Sequence, residues 1–245
     1  MGFAALLWDV DGTLAETERD GHRRAFNRAF RQAGLSAHWD VDGYGELLAI
    51  TGGAERIGAY LTRHEGESPD PQRVAALHAS KQCHYAALVA EGELVLRPGV
   101  RPLIEAAARA GLRQAIVTTS GREAVDALAK QLFADLLGAF DVWVCGGDVV
   151  RKKPNSEAYR LALELLQHDP REACAIEDSS AGVTAALGAG VSCVVSLSHY
   201  SAQEPLGRFA GAGAVVDKLG DGTQVLLGPP CQDGRITLSY LELLR

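Results

Sequence analysis

Apolar residues are not spread evenly along this chain. They gather in short runs, separated by longer segments in which they recur every three or four positions. Residues 3–8 are apolar without interruption and stop at Asp9. Similar runs occupy 114–118, 142–145, 173–176, 191–195 and 214–216. Such runs predict strands buried on both faces of a parallel sheet. Between most of them, residues 102–110, 122–132, 156–167 and 180–189 carry Leu, Val and Ala at helical spacing, and Gly111 supplies a helix stop. The alternation predicts an α/β fold with a Rossmann-like parallel-sheet core.

Residues 16–91 break that rhythm. They hold no strand-like run, and 19–33, 44–50, 55–64 and 71–90 read as helices separated by Gly, Pro and Asp clusters. A helical block between the first and second strands predicts an inserted small helical cap domain, residues 16–91. Residues 1–15 and 92–245 then form the core. Gly92 and the Arg97-Pro98-Gly99 turn are hinge candidates where the chain returns. Near the end, the amphipathic stretch 237–244 predicts a peripheral helix.

Composition narrows the function classes. Of 245 residues, 47% are apolar and 22% charged, which excludes a disordered chain, a fibre or a disulfide scaffold. Lys and Arg number 24 against 31 Asp and Glu, a net charge of −7, and no long basic tract exists, so nucleic acid is not an expected partner. An anionic substrate would have to meet concentrated positive charge or a metal ion. The five cysteines are odd in number, widely spaced and lack C-x-x-C, which gives no zinc or redox motif and fits a reducing compartment. No stretch approaches the ~18 apolar residues of a membrane span, and the apolar N-terminus lacks a charged leader region. The expectation is a cytoplasmic monomer with no membrane partner.

The chemistry sits where the apolar runs end. Asp9-Val10-Asp11-Gly12-Thr13 follows the first run, at the strand end where open α/β sheets bind ligands. Alone, it reads as a solvated Asp-Gly turn. Thr118 ends the second run, where its hydroxyl can meet a phosphate oxygen or cap a helix, a task Thr119 or Ser120 can also take. Lys153 precedes Pro154, which fits the first position of the following helix. Lys152 reads as a surface lysine. Glu177-Asp178 follows the fourth run, with Ser179 or Ser180 as helix cap. An acidic helix start is the plain reading, but acids at two strand ends of one sheet leave negative charge that a hard divalent cation would balance.

Asp-x-Asp, Thr, Lys-Pro and Glu-Asp in this order on successive strands resemble the haloacid dehalogenase-like phosphohydrolase superfamily. Within it, residues 13–18 (TLAETE), 26–30 (FNRAF), 44–48 (YGELL) and 51–56 (TGGAER) are similar to the CbbY subgroup. Two positions differ from its pattern, Gln82 after Lys81 and the Ser156-Glu157 pair. The subgroup accompanies Calvin cycle genes and dephosphorylates xylulose 1,5-bisphosphate, a Rubisco inhibitor. The resemblance implies a sugar-phosphate phosphatase using Mg²⁺. Asp9 is then the nucleophile forming an aspartyl-phosphate, and Asp11 the acid–base. Lys153 and Thr118 hold the phosphoryl group. The ion is held by Asp9, the Asp11 carbonyl and Asp178, with Glu177 behind them or as an alternative ligand. Substrate-binding candidates are Glu16, Thr17, His22, Gly53, Arg56, Lys81 and Thr119. Of these, Arg56 suits a second phosphate, though a helix-surface Arg beside Glu55 is the plain alternative. His22 otherwise reads as structural, Lys81 as solvated, and Glu46 as a hydroxyl binder or a cap. The alternatives are a β-phosphoglucomutase-like phosphomutase and a non-catalytic binding protein on the same fold.

Overall fold

The computed structural model describes residues 2–50 and 52–245. Met1 of the N-terminal run and Thr51 of the 51–56 motif lie outside the described residues. In chain order the elements are β1 (Ala5–Trp8), α1 (Arg23–Gln32), α2 (Val41–Leu47), α3 (Gly53–Glu65), α4 (Pro71–Ala90), α5 (Val100–Arg109), β2 (Arg113–Val117), α6 (Arg122–Phe133), β3 (Val142–Val144), α7 (Glu157–Leu166), β4 (Ala173–Glu177), α8 (Ser180–Gly188), β5 (Ser192–Ser196), β6 (Ala214–Val216), β7 (Val225–Leu227) and α9 (Leu238–Glu242). The chain divides into two compact units, Met1–Glu16 with Val95–Arg245, and Thr17–Leu94.

The first unit is built on a sheet ordered β3-β2-β1-β4-β5-β6-β7 among the described residues. Strands β1 to β6 run parallel. This is the expected parallel core, and a seventh strand not predicted from the sequence, β7, pairs antiparallel with β6. It escapes the hydrophobic pattern because it is a three-residue edge strand, and Leu226 and Leu227 are exposed. Strand β1 is buried along its whole length, with Leu7 level with Ala115 of β2 and Ala175 of β4. Its Trp8 indole N–H donates to Gln114 Oε1 at 3.0 Å, and Gln114 Nε2 donates to the Ile104 carbonyl at 3.1 Å, so the polar groups inside this apolar layer are satisfied. Below the sheet, Ala5, Leu7, Ala115 and Val117 pack with Tyr159, Leu163, Val183 and Ala186.

Two junctions differ from the sequence reading. Pro154 is not the first residue of α7, which begins at Glu157 after Asn155 Oδ1 accepts the Glu157 N–H at 3.0 Å. Neither Thr119 nor Ser120 caps α6, whose N-cap is Gly121 without a side-chain bond.

The second unit is helical, as its periodicity predicts. A π-helical turn over Glu18–His22 precedes α1. Asp40 accepts the Gly43 N–H at 2.7 Å, so α2 starts three residues before the predicted Tyr44. Helix α4 follows an Asp70 cap and starts on Pro71, within its predicted bounds. Trp39 fills the centre, with ring centroids 4.6 Å from Phe26, 4.8 Å from Phe30 and 5.3 Å from Tyr60.

Candidate active site

Strand order reverses around β1 and β4, and both strands end in acids. Asp9 extends the ladder beyond β1, its N–H donating to the Ile176 carbonyl at 3.0 Å. Glu177 closes β4 and Asp178 follows it. Ser179 Oγ accepts the Gly182 N–H at 3.1 Å, which starts α8 directly after the pair. Asp9, Glu177 and Asp178 are all buried, and each offers an oxygen within 4.8 Å of the others.

Lys153 reaches this group from the loop before α7. Its ammonium donates to Asp9 Oδ1 at 2.6 Å, Glu177 Oε1 at 2.6 Å and the Val117 carbonyl at 2.8 Å. The Tyr159 hydroxyl donates to the same Glu177 oxygen at 2.6 Å. Burial pushes the Asp9 carboxyl up to about 8; Lys153 pulls it down, while Glu177 and Asp11 add to the rise. Asp178 is raised well above the usual carboxylate range, first by burial and then by Asp9 and Glu177, against a Ser198 hydrogen bond and the Arg97 charge. Lys153 is itself raised: burial alone would lower it, and Asp9 and Glu177 overcome that. These directions agree, since one ammonium cannot neutralise the carboxylates gathered around it. Three buried acids with an excess of negative charge and only oxygen donors fit a hard divalent cation.

Asp11 stands outside the three-acid group. Its carboxylate accepts the Ser120 hydroxyl at 2.5 Å. Thr118 is buried, and its hydroxyl oxygen accepts the Ser120 N–H at 3.1 Å, which leaves its own O–H to donate. Gly12 has φ +83°, and a Cβ there would run into the Asp178 carboxylate. The loop can pass this close to the acids only without a side chain.

Asp9, Thr118, Lys153, Glu177 and Asp178 thus meet at the carboxyl ends of β1, β2 and β4, with Asp11 beside them. Thr119 is half-buried. Glu16 is engaged within the first unit, 3.3 Å from Arg97 Nε and accepting the His199 N–H at 3.2 Å. The remaining candidates belong to the helical unit. Thr17 is fully buried. His22 stacks on Tyr85 at 4.2 Å, and its Nδ1 lies 2.9 Å from Lys81 Nζ. Lys81 is buried over the Phe26 ring at 5.0 Å, not solvated. Gly53 opens α3, where a Cβ would press on His78. Arg56 is buried rather than on the helix surface. It donates to the Tyr44 hydroxyl at 2.7 Å and to the Leu47 and Ile50 carbonyls at 3.1 and 3.2 Å. Glu46 is exposed and caps no helix. Sequence reasoning missed Arg97, Ser120 as a partner of Asp11, Tyr159 and Ser198. Only Arg97 and Ser120 carried a signal, since each adjoins a motif residue or a hinge.

Buried acids and a lysine at the carboxyl edge of a parallel sheet, with a second aspartate held apart, are the arrangement of an enzyme active site on an α/β fold. A family model described as haloacid dehalogenase-like hydrolase matches residues 3–190, and the chain belongs to that family. It is 46% identical to Protein CbbY of Cereibacter sphaeroides, a match covering 89% of this chain and 93% of the relative. The crystal structure of CbbY from Rhodobacter sphaeroides in complex with phosphate superposes with a TM-score of 0.80 at 46% identity, over 88% of this chain and 94% of that one. A mutant of that protein, solved in complex with xylulose-(1,5)-bisphosphate, matches to the same extent, with a TM-score of 0.80. No helix among the described residues is long and apolar enough to cross a membrane.

Proposed function

We propose that this enzyme is a Mg²⁺-dependent phosphatase of phosphorylated sugars, with xylulose 1,5-bisphosphate as its preferred substrate. The observation that carries the reading is the division of labour between two aspartates two residues apart. Asp9 is buried against Lys153 beside two further acids, while Asp11 faces Ser120. A binding protein has no use for a nucleophile next to a separate proton carrier. The relatives support the substrate class, one having been solved with phosphate and its mutant with the bisphosphate.

In this mechanism a carboxylate oxygen of Asp9 attacks phosphorus. The bond to the sugar oxygen breaks, leaving the phosphoryl group on Asp9, and one hard displacement becomes two easier ones. Asp11 donates its proton to the leaving sugar oxygen, then accepts one from the water that attacks the aspartyl-phosphate. The Lys153 ammonium and Thr118 hydroxyl hold phosphoryl oxygens where charge is greatest. Asp9, the Asp11 carbonyl and Asp178 would hold Mg²⁺, with Glu177 anchoring Lys153 behind them. The bound ion supplies the positive charge that lets a carboxylate approach a phosphate. We place the enzyme in a reducing, cytoplasmic compartment, a reading supported by its free cysteines.

The test is release of inorganic phosphate from a panel of sugar mono- and bisphosphates, with and without EDTA. The bisphosphate should show the highest kcat/KM, EDTA should abolish turnover, and Asp9→Asn should lower kcat by at least about 10³-fold. Substantial activity in Asp9→Asn, or indifference to EDTA, overturns the mechanism. Isomerisation of a β-glucose phosphate without phosphate release would make the enzyme a phosphomutase.

A further inference from the structure

Arg97 lies in the turn where the chain re-enters the sheet unit, and it is buried. Its guanidinium donates to the carbonyl of Gly12, in the loop that carries Asp9 and Asp11, and to the carbonyls of Ser196 and Leu197 at the end of β5, the Ser196 contact at 2.9 Å. Nε lies 3.3 Å from Glu16 Oε1, at the other end of the same β1 loop. Two further bonds tie this corner together. The Arg97 N–H donates to the Leu14 carbonyl at 2.8 Å, and the Gly12 N–H to the Ala15 carbonyl at 2.8 Å. Gly12 is the residue whose α-carbon faces the Asp178 carboxylate, so whatever fixes the Gly12 peptide also fixes the gap between the β1 loop and that acid. Burial lowers the Arg97 pKa from its ordinary value, but Glu16, Asp178 and Asp217 oppose the shift, so the side chain remains a cation.

We propose that Arg97 is the positioning residue of the acidic site: its planar fork pins the β1 loop to the end of β5 and sets a fixed positive charge behind Asp178. In the sheet β4 lies between β1 and β5, so Arg97 bridges two segments whose strands do not pair, alongside the His199 N–H to Glu16 bond at 3.2 Å. A guanidinium can serve several acceptors in one plane. A lysine ammonium at the same place reaches fewer of them and leaves buried carbonyls unmet. The role rests on the reading of this cluster as a cation-binding hydrolytic site, and its test separates the two claims.

Full-length wild type, Arg97→Lys and Arg97→Ala are first compared by circular dichroism and thermal melting. Mg²⁺ affinity is then measured by calorimetry without substrate, and kcat and KM with the bisphosphate. Folded Arg97→Lys should bind Mg²⁺ at least tenfold more weakly and lose at least 100-fold in kcat, with KM changed less than threefold. Arg97→Ala should recover part of its Mg²⁺ affinity in millimolar guanidinium. A purely structural arginine would lower the melting temperature while the folded protein kept wild-type Mg²⁺ affinity and kcat, and that result overturns the proposal. If wild type binds Mg²⁺ but releases no phosphate from any sugar, the phosphatase reading fails, while the affinities of the variants still judge Arg97. Absence of Mg²⁺ binding by wild type overturns both.

Discussion

Lys153 touches two carboxylates, each at 2.6 Å, and its charge matches only one of them. Burial first, and this imbalance after it, holds both Asp9 and Asp178 toward their protonated forms, and a dication belongs among them. Asp9, Lys153 and Asp178 were legible in the sequence because each stands beside an apolar run or a proline, a local feature. Tyr159 and Ser198 were not, since their roles depend on reach: Tyr159 meets Glu177 across 18 positions of chain. Ser120 read as a helix cap because serine before a helix usually is one. Instead it binds Asp11, 109 positions away. Removing one donor to a proton-carrying carboxylate should cost about tenfold in rate, or about 1.4 kcal/mol. Ser120→Ala should therefore lower kcat about tenfold at nearly constant KM, as measured by steady-state phosphate release. An unchanged kcat would make the contact incidental.

At the scale of elements, the junction from β4 to α8 carries the most constraint. Ser179 caps the helix, Glu177 is turned back under it, and a Cβ at Gly182 would overlap the Glu177 carboxylate. Gly182→Ala must displace Glu177 and with it the partner of Lys153. The expected cost is about 1–3 kcal/mol, as for other overpacked cores, read as a lower urea midpoint together with reduced turnover. Gly138 makes the control, because it has open space around its Cβ position. Gly138→Ala should change stability by no more than about 1 kcal/mol. The strands from β1 to β6 were readable because strands packed within a helix-covered parallel sheet are largely apolar along their length. Strand β7 was not, since an edge strand with two exposed leucines leaves no such run.

For the molecule as a whole, the acidic site links stability to pH and to metal. Folding raises the Asp9 carboxyl from its ordinary 3.8 to about 8 in the metal-free protein. A pKa raised by folding contributes stability below pH ~4 that is lost as pH climbs toward ~8. Asp178 shifts the same way. The melting temperature of EDTA-treated protein should therefore fall across that interval, and the stabilisation by Mg²⁺ should grow across it as the carboxylates become available. At 100 times Kd the ion should contribute about 2.7 kcal/mol, or roughly 5–10 °C for a chain of this size. A melting temperature indifferent to Mg²⁺ at pH 8 would contradict the charge balance drawn here. The sequence by itself determined the α/β alternation, the helical segment between the first two strands, and the acids, threonine and lysine at the strand ends. All of these follow from local rules of periodicity and strand termination. Only the tertiary structure decided that Lys153 bridges Asp9 and Glu177, that Asp11 turns to Ser120, and that Arg97 clasps the β1 loop. Those contacts join residues far apart in the chain, and nothing in a local pattern records which distant side chain will arrive within hydrogen-bonding distance.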